Sequence, residues 1–142
     1  MLFSLFCFSA CMPHTTKEIV RSPKFGQSVA PISTAIKANG FLFVSGQVGR
    51  NPETGKLQSE TFESETHQVM KNIGTILQEA GLTFDDVVSV TIYLKDMKQY
   101  AQVNEVYKTY FSGAFPTRTC IAVLDLPVGA SVEMTVTAAL RQ

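Results

Sequence analysis

The sequence predicts an α+β fold in which two helices pack on one face of a single sheet. Two stretches carry apolar side chains at helical spacing, and several others are rich in β-branched residues or alternate between apolar and polar side chains. They follow the order strand, hairpin, helix, strand, helix, strand, strand, without internal repeats or linkers. A chain of 142 residues is long enough for one domain with a substantial core. We therefore predict one domain over residues 17–142, preceded by an N-terminal extension over residues 1–16.

The composition indicates a globular protein and argues against two classes of function. Hydrophobic residues make up 45% of the chain and charged residues 17%. Twelve basic residues balance twelve acidic ones without a basic cluster, so we expect no nucleic-acid partner. The three cysteines and two histidines have no metal-ligand spacing, and an odd cysteine count does not suit a disulfide framework. We expect no metal and no cofactor.

The N-terminal stretch 1–11 is apolar but too short to span a bilayer. It lacks the positively charged start of a secretory signal, although Ser9-Ala10-Cys11 is similar to a lipoprotein cleavage site. Met12 could equally be the true start of the protein. We expect a leader outside the fold and a cytoplasmic protein without a membrane partner; secretion or lipid anchoring through the leader is the alternative.

The first elements are an edge strand and a β-hairpin. The edge strand is predicted at 17–21. Asn39-Gly40 tolerates the positive φ angles of a tight turn and joins strands at 33–37 and 41–45. Gly46 then either belongs to an ordinary turn or allows a ligand to approach the backbone closely.

Two helices flank the most β-prone stretch of the chain. The first is predicted at 62–80, with Gly81 as its C-terminal cap. Gly74 inside this helix costs about 1 kcal/mol relative to alanine, so we expect a close packing contact there. The strand at 87–94 follows, and the second helix is predicted at 100–111.

The strands of the second half predict association between copies of the chain. Those at 87–94 and 119–124 are apolar on both sides, although two helices can cover only one face of a sheet. A second copy is the simplest cover for the remaining face, so we predict a homo-oligomer. The last strand, 132–140, alternates and directs Met134 to one face and Glu133 to the other, near a subunit boundary.

Arg118 is the residue whose position most needs an explanation. Pro116 disfavours helix before it, so the chain is expected to pass there from a loop into a buried strand that begins just after Arg118. A guanidinium at that junction needs an anionic partner, because an unpaired buried charge is costly. Two interpretations remain open: a structural Arg–Glu pair or an arginine extended to solvent, and a planar fork that binds a ligand carboxylate through two hydrogen bonds.

Other polar residues give weaker signals. Cys120 is a candidate nucleophile, but a cysteine in an apolar strand is more often an inert core residue. Asn104 lies in a helix that otherwise directs aromatic side chains inward, and we expect it to make a structural hydrogen bond rather than a ligand contact. Because the sequence shows no Ser-His-Asp or Cys-His pattern and no phosphate-binding glycine loop, any catalysis would use one cation, one carboxylate and backbone dipoles.

An ordered set of short motifs resembles one protein family. The motifs are Val44-Ser45-Gly46-Gln47, Val103-Asn104-Glu105-Val106-Tyr107, Phe115-Pro116-Thr117-Arg118-Thr119-Cys120, Leu126-Pro127 and Val132-Glu133. Over about residues 17–141 the chain resembles the RidA/YjgF family of reactive intermediate deaminases. The resemblance implies a chorismate-mutase-like (RidA-type) α+β fold that assembles as a homotrimer, with ligand clefts between the subunits.

The resemblance also implies an activity. The chain would be a 2-iminobutanoate/2-iminopropanoate deaminase, a cofactor-independent hydrolase that converts 2-imino acids, or their 2-aminoacrylate-type enamine tautomers, to 2-keto acids and ammonia. These intermediates are released by pyridoxal-phosphate-dependent dehydratases acting on serine and threonine. The alternative is a non-catalytic trimer that binds small carboxylates or acts like a chaperone. RNA cleavage, another activity attributed to the family, finds little support in a neutral chain without paired histidines.

Residue roles follow from the same resemblance. Arg118 would bind the substrate carboxylate, and Glu133 would position or activate the attacking water. The backbone at Cys120 would hold the imine nitrogen or the water. Ser45, Gly46 and Asn104 would line or brace the cleft.

The chain departs from the family pattern at one position near the implied site. Many members carry a Gly-Pro-Tyr-Ser motif whose tyrosine closes over the ligand, whereas this chain reads Ala30-Pro31-Ile32-Ser33. Ile32 would contact the substrate with apolar cover but without the phenolic hydrogen bond. Thr135 stands where a second acidic residue is frequent. We expect these changes to affect substrate preference and turnover more than carboxylate binding.

Overall fold

In the computed structural model, residues 16–25 and 30–141 are described, and these form one six-stranded sheet and two α-helices. The elements are β1 (Glu18–Val20), β2 (Ala35–Ala38), β3 (Phe41–Val48), α1 (Phe62–Glu79), β4 (Val87–Leu94), α2 (Tyr100–Tyr107), β5 (Thr117–Ala122) and β6 (Val132–Ala139). Their order confirms the predicted order. The strands are arranged β1-β2-β3-β6-β4-β5, and every neighbouring pair is antiparallel except the parallel pair β4–β5. The predicted leader over residues 1–11 lies outside the described residues.

The core lies between the sheet and the helices, which confirms the predicted α+β class. Helix α1 packs on β3 and β6, and α2 packs on α1. Strand β6 alternates as predicted: Met134 is fully buried in the core, while Glu133 on the opposite face is half-buried. Along the described part of the chain, no helix is both long and apolar enough to cross a membrane.

Glycines at three positions confirm local predictions. Asn39 and Gly40 adopt φ angles of 50° and 80°, and this tight turn joins β2 to β3. Gly81, with φ of 79°, ends α1 in the left-handed conformation that favours glycine. A Cβ atom at Gly74 would lie 3.2 Å from the Phe84 ring, so this position does require a close contact.

Several predicted bounds differ from the observed ones. The hairpin strands predicted at 33–37 and 41–45 are observed at 35–38 and 41–48, and two later elements also differ. Helix α2 ends at Tyr107 and the chain continues as a 3-10 turn over Lys108–Tyr110, so the helix predicted to residue 111 is shorter. Tyr107 and Tyr110 are three residues apart, a spacing that a 3-10 turn also aligns on one side. Strand β5 spans 117–122 rather than 119–124, because it pairs with β4 from Ser89 to Leu94 and ends where that partner ends.

The sheet face opposite the helices is open within the protomer. The two helices leave this face of the strands at 87–94 and 119–124 uncovered, as expected, and no second layer of described residues lies over it. Its burial against a second copy stays a prediction. Phe41, Phe43 and Ile121 are 40–48% exposed on it. Strand β5 is also an edge strand, and Leu124 just beyond it is 99% exposed. Exposed apolar side chains on an open sheet face, together with an unpaired edge strand, favour association with another molecule.

Candidate active site

Arg118 lies within β5 and faces α2. The parallel register pairs it with Val90 and pairs Cys120 with Ile92, and both partners are buried on the helix side of the sheet. The prediction that Arg118 precedes the strand is therefore wrong, because pairing with β4 extends the strand towards Pro116. Since β5 is an edge strand, the Arg118 side chain is half-buried instead of enclosed.

The guanidinium is held by aromatic side chains of α2. Its Nη2 atom donates a hydrogen bond to the Tyr100 hydroxyl at 3.1 Å. Its Cζ atom lies 5.0 Å from the centroid of the Tyr107 ring and 5.6 Å from that of Tyr100. Among the described side chains no carboxylate forms an ion pair with Arg118. The structural Arg–Glu pair is thus not formed in this part of the chain, and the positive charge stays available for a ligand.

A cleft of about 460 Å³ opens beside this guanidinium. It is lined by Asn104, Tyr107, Lys108, Phe115, Pro116 and Arg118. The rings of Phe115 and Tyr107 are stacked with centroids 6.4 Å apart, so much of the wall is apolar. This volume and this mixture of an apolar wall with one fixed cation suit a small organic acid.

Two polar atoms of the cleft residues are buried without a hydrogen-bond partner in the described part of the chain: Asn104 Oδ1 and the Tyr107 hydroxyl. The structural hydrogen bond predicted for Asn104 is therefore not formed by its carbonyl oxygen. Burial raises the pKa of Tyr107 to about 12, against the opposing effect of Arg118, so the phenol keeps its proton at neutral pH. Buried polar groups are usually satisfied, and a bound molecule is one way to satisfy this pair.

Tyr100, Tyr107, Lys108 and Phe115 were missed as site residues by sequence reasoning. Tyr107 could have been found from its spacing, because it is three residues from Asn104 and the two residues therefore share one side of α2. The position of Phe115 depends on how the loop before β5 folds back towards α2, which no local pattern reveals.

Cys120 follows Arg118 on the same side of β5 and is half-buried. Burial raises the pKa of its thiol, and the nearby Arg118 guanidinium opposes this shift. A thiol with a raised pKa carries little thiolate at neutral pH, which agrees better with an inert residue than with a nucleophile. The backbone role implied for Cys120 stays a prediction.

Glu133 lies on the open face of the sheet, opposite Tyr93 of β4. Burial raises the pKa of its carboxyl group. The carboxylate lies over Gly46, where a Cβ atom would be 1.8 Å from Glu133 Oε1. Strand β3 has an extra residue between Val44 and Gln47 relative to β6, so Gly46 belongs to a β-bulge rather than to a turn.

Ser45 connects this bulge to the segment that precedes β2. Its hydroxyl donates a hydrogen bond to the Ser33 carbonyl at 2.7 Å, and its amide donates one to the Thr34 carbonyl at 3.0 Å. The segment carries Ile32, whose side chain is 59% exposed. Contact of Ser45 or Ile32 with a ligand stays a prediction.

The predicted site residues therefore form two groups on opposite faces of the sheet. Arg118, Cys120 and Asn104 lie on the helix side, whereas Glu133 and Gly46 lie on the open side, so Arg118 and Glu133 do not meet within one protomer. No cluster of three His, Cys, Asp or Glu side chains suited to a metal ion occurs among the described residues.

Comparisons with known proteins agree with this architecture. Residues 24–140 match the family model described as Endoribonuclease L-PSP. The 2-iminobutanoate/2-iminopropanoate deaminase of Mus musculus is 37% identical over 123 residues, which cover 87% of this chain and 91% of that protein.

Two crystal structures share the fold. The Rid-family protein YyfA of Yersinia pestis gives a TM-score of 0.85 at 40% identity, covering 88% of this chain and all of that one. The TdcF protein of Escherichia coli, solved with bound serine, gives a TM-score of 0.82 at 26% identity, covering 87% of this chain and 99% of that one. From the matched family model, the shared fold and the ordered motifs, the chain belongs to the RidA/YjgF family.

Proposed function

We propose that the protein is a 2-iminobutanoate/2-iminopropanoate deaminase. The observation that carries the proposal is the Arg118 guanidinium, which has no acidic partner among the described residues and faces a small, largely apolar cleft. The activity named for the mouse relative and the serine bound to TdcF support a small substrate with a carboxylate next to a nitrogen-bearing carbon.

The chemistry needs few groups. A protonated imine is already electrophilic, so water can add to its carbon once the substrate is oriented. Arg118 would hold the carboxylate through two parallel hydrogen bonds and remove orientational freedom. A carboxylate at Glu133 would accept the proton of the attacking water. Return of this proton to the nitrogen of the carbinolamine lets the C–N bond break with release of ammonia, and the hydroxyl then loses its proton to water and becomes the carbonyl group of the 2-keto acid.

The apolar wall of the cleft supports a short aliphatic substrate side chain. Phe115 and Pro116 offer a surface for a methyl or ethyl group but no hydrogen-bond donor for a polar one. The raised pKa of Glu133 also brings this carboxyl closer to the operating pH, where a general base is most effective. Neither the addition of water to the imine nor the release of ammonia needs a cofactor.

We propose that the site is completed in a homotrimer. Arg118 of one copy and Glu133 of a neighbouring copy would face the same cleft, since the two residues lie on opposite faces of one sheet. The exposed Phe41, Phe43 and Ile121 on the open face support burial against another copy. Light scattering is expected to give three times the protomer mass, and a monomer at assay concentration would contradict the trimer.

A direct assay tests the activity. With 2-iminobutanoate generated in situ by a threonine dehydratase, the wild-type protein should accelerate release of the keto acid. Arg118→Ala should abolish the acceleration, and Glu133→Ala should reduce it strongly while 2-ketobutyrate still binds. Arg141→Ala is the matched control, because this arginine is bound to Asp86 at the surface. Binding of 2-ketobutyrate without any acceleration by the wild type would favour the non-catalytic carboxylate binder.

Mixing two inactive variants tests the shared site. If each site takes Arg118 from one copy and Glu133 from the next, equal mixing of Arg118→Ala with Glu133→Ala regenerates about one intact interface in four. Trimers reassembled from the mixture should then regain about 25% of the wild-type rate. Failure to regain activity in verified mixed trimers would show that both residues act within one copy.

A further inference from the structure

We infer that Tyr100 is a positioning residue that holds the Arg118 guanidinium in its ligand-ready orientation, an inference that rests on the proposed carboxylate-binding role of Arg118. Tyr100 is the first residue of α2 and its side chain is 42% exposed, so its packing contribution to the core is small. Its hydroxyl makes one hydrogen bond among those of the described residues, and the donor is Arg118 Nη2 at 3.1 Å.

The chemistry of the phenol suits this role. A carboxylate in its place would neutralise the guanidinium and compete with the carboxylate of a substrate. A neutral hydroxyl accepts one N–H of the fork and leaves the charge intact. Arginine has five N–H donors, so enough remain for a bidentate contact.

The aromatic rings restrict the same side chain from other directions. The Cζ atom lies 5.0 Å from the Tyr107 ring and 5.6 Å from the Tyr100 ring. An arginine side chain has many rotamers, and ordering it only when a ligand arrives would weaken binding. The contacts from α2 order the guanidinium beforehand, at the edge of the cleft that Phe115 and Asn104 line.

Tyr100→Phe tests the inference, because it keeps the ring and removes only the hydroxyl. The Kd for 2-ketobutyrate, measured by calorimetry, and the KM for 2-iminobutanoate should rise about three- to tenfold, while kcat stays within about twofold. Without ligand, ¹⁵N relaxation of Arg118 Nε should show a more mobile side chain. Tyr110→Phe is the matched control, since it removes a hydroxyl bonded to His67, away from the cleft, and should change none of these values.

The outcomes separate this inference from the proposed function. If the wild type binds 2-ketobutyrate but has no deaminase activity, the proposed function fails, and a raised Kd in Tyr100→Phe still supports the positioning role. If the wild type binds no keto acid, the relaxation of Arg118 Nε alone tests the positioning role. A more mobile side chain in Tyr100→Phe supports it, and unchanged mobility overturns it. Unchanged Kd, KM and Nε relaxation in a folded Tyr100→Phe protein would overturn the inference.

Discussion

Replacing Gly46 by alanine should separate catalysis from stability. The new Cβ atom would lie 1.8 Å from Glu133 Oε1 and 2.9 Å from its Cδ atom. An ordinary contact begins at 3.4 Å, so the carboxylate oxygen has to move by about 1.6 Å. The carboxylate is the far end of a flexible side chain and can rotate away at small cost. Because Gly46 does not need a positive φ angle, alanine also fits the backbone.

The expected result is a folded but slow enzyme. A displacement of this size in a catalytic group can cost about 100-fold in rate, so kcat for 2-iminobutanoate should fall by about that factor. The free energy of unfolding, measured with urea, should change by less than about 1 kcal/mol, because the gain of replacing glycine offsets the moved side chain. The Kd for 2-ketobutyrate should stay close to the wild-type value, since Arg118 is untouched.

Two other glycines are matched controls. A Cβ atom at Gly113 meets nothing within 4 Å, so Gly113→Ala should change neither rate nor stability appreciably. A Cβ atom at Gly49 would lie 2.7 Å from the Glu65 backbone oxygen, which cannot rotate away, so Gly49→Ala should destabilise the fold by about 2 kcal/mol or more. Full activity in Gly46→Ala would refute the reasoning, because the position of the Glu133 carboxylate would then not matter.

Two further substitutions test the electrostatics and the backbone. Burial raises the folded-state pKa of Glu133, so the folded protein binds more protons than the unfolded chain and loses stability as the pH rises through that pKa. Glu133→Gln should therefore raise Tm at pH 7, and this advantage should disappear below the pKa that Glu133 has in the unfolded chain. Wild-type activity should fall as the pH drops and the Glu133 carboxylate is protonated. Equal Tm values for the wild type and the variant at pH 7 would contradict the effect on stability. Val128 is a β-branched residue with φ of 54°, a left-handed conformation that asparagine tolerates better. Val128→Asn should raise the free energy of unfolding in urea by about 1 kcal/mol, and a decrease would show that contacts of the valine side chain outweigh the strain.

Local patterns were sufficient for most of the fold. Asn39-Gly40 predicts its hairpin because few residues accept two positive φ angles in succession. The alternation in β6 predicts that Met134 and Glu133 face opposite sides, because side chains alternate along any strand. Such features need no knowledge of distant parts of the chain.

Strand β5 and its arginine show where sequence reasoning stopped. Apolar character suggested a strand at 119–124, but pairing with β4 places it at 117–122 and turns Arg118 towards α2. The bulge at Gly46 was equally hidden, because it is a shift in the pairing register of β3 with β6, and the register is set between strands far apart in the chain.

Residue types and short-range spacing were enough to predict the order of elements and the family, and to single out Arg118 and Glu133 as candidate site residues. The three-dimensional arrangement was needed to learn that, among the described residues, tyrosines and no acid contact the Arg118 guanidinium, and that Glu133 lies on the other face of the sheet. Charge pairing depends on which strands are neighbours and which faces they share, and both are set by packing between residues far apart in the chain.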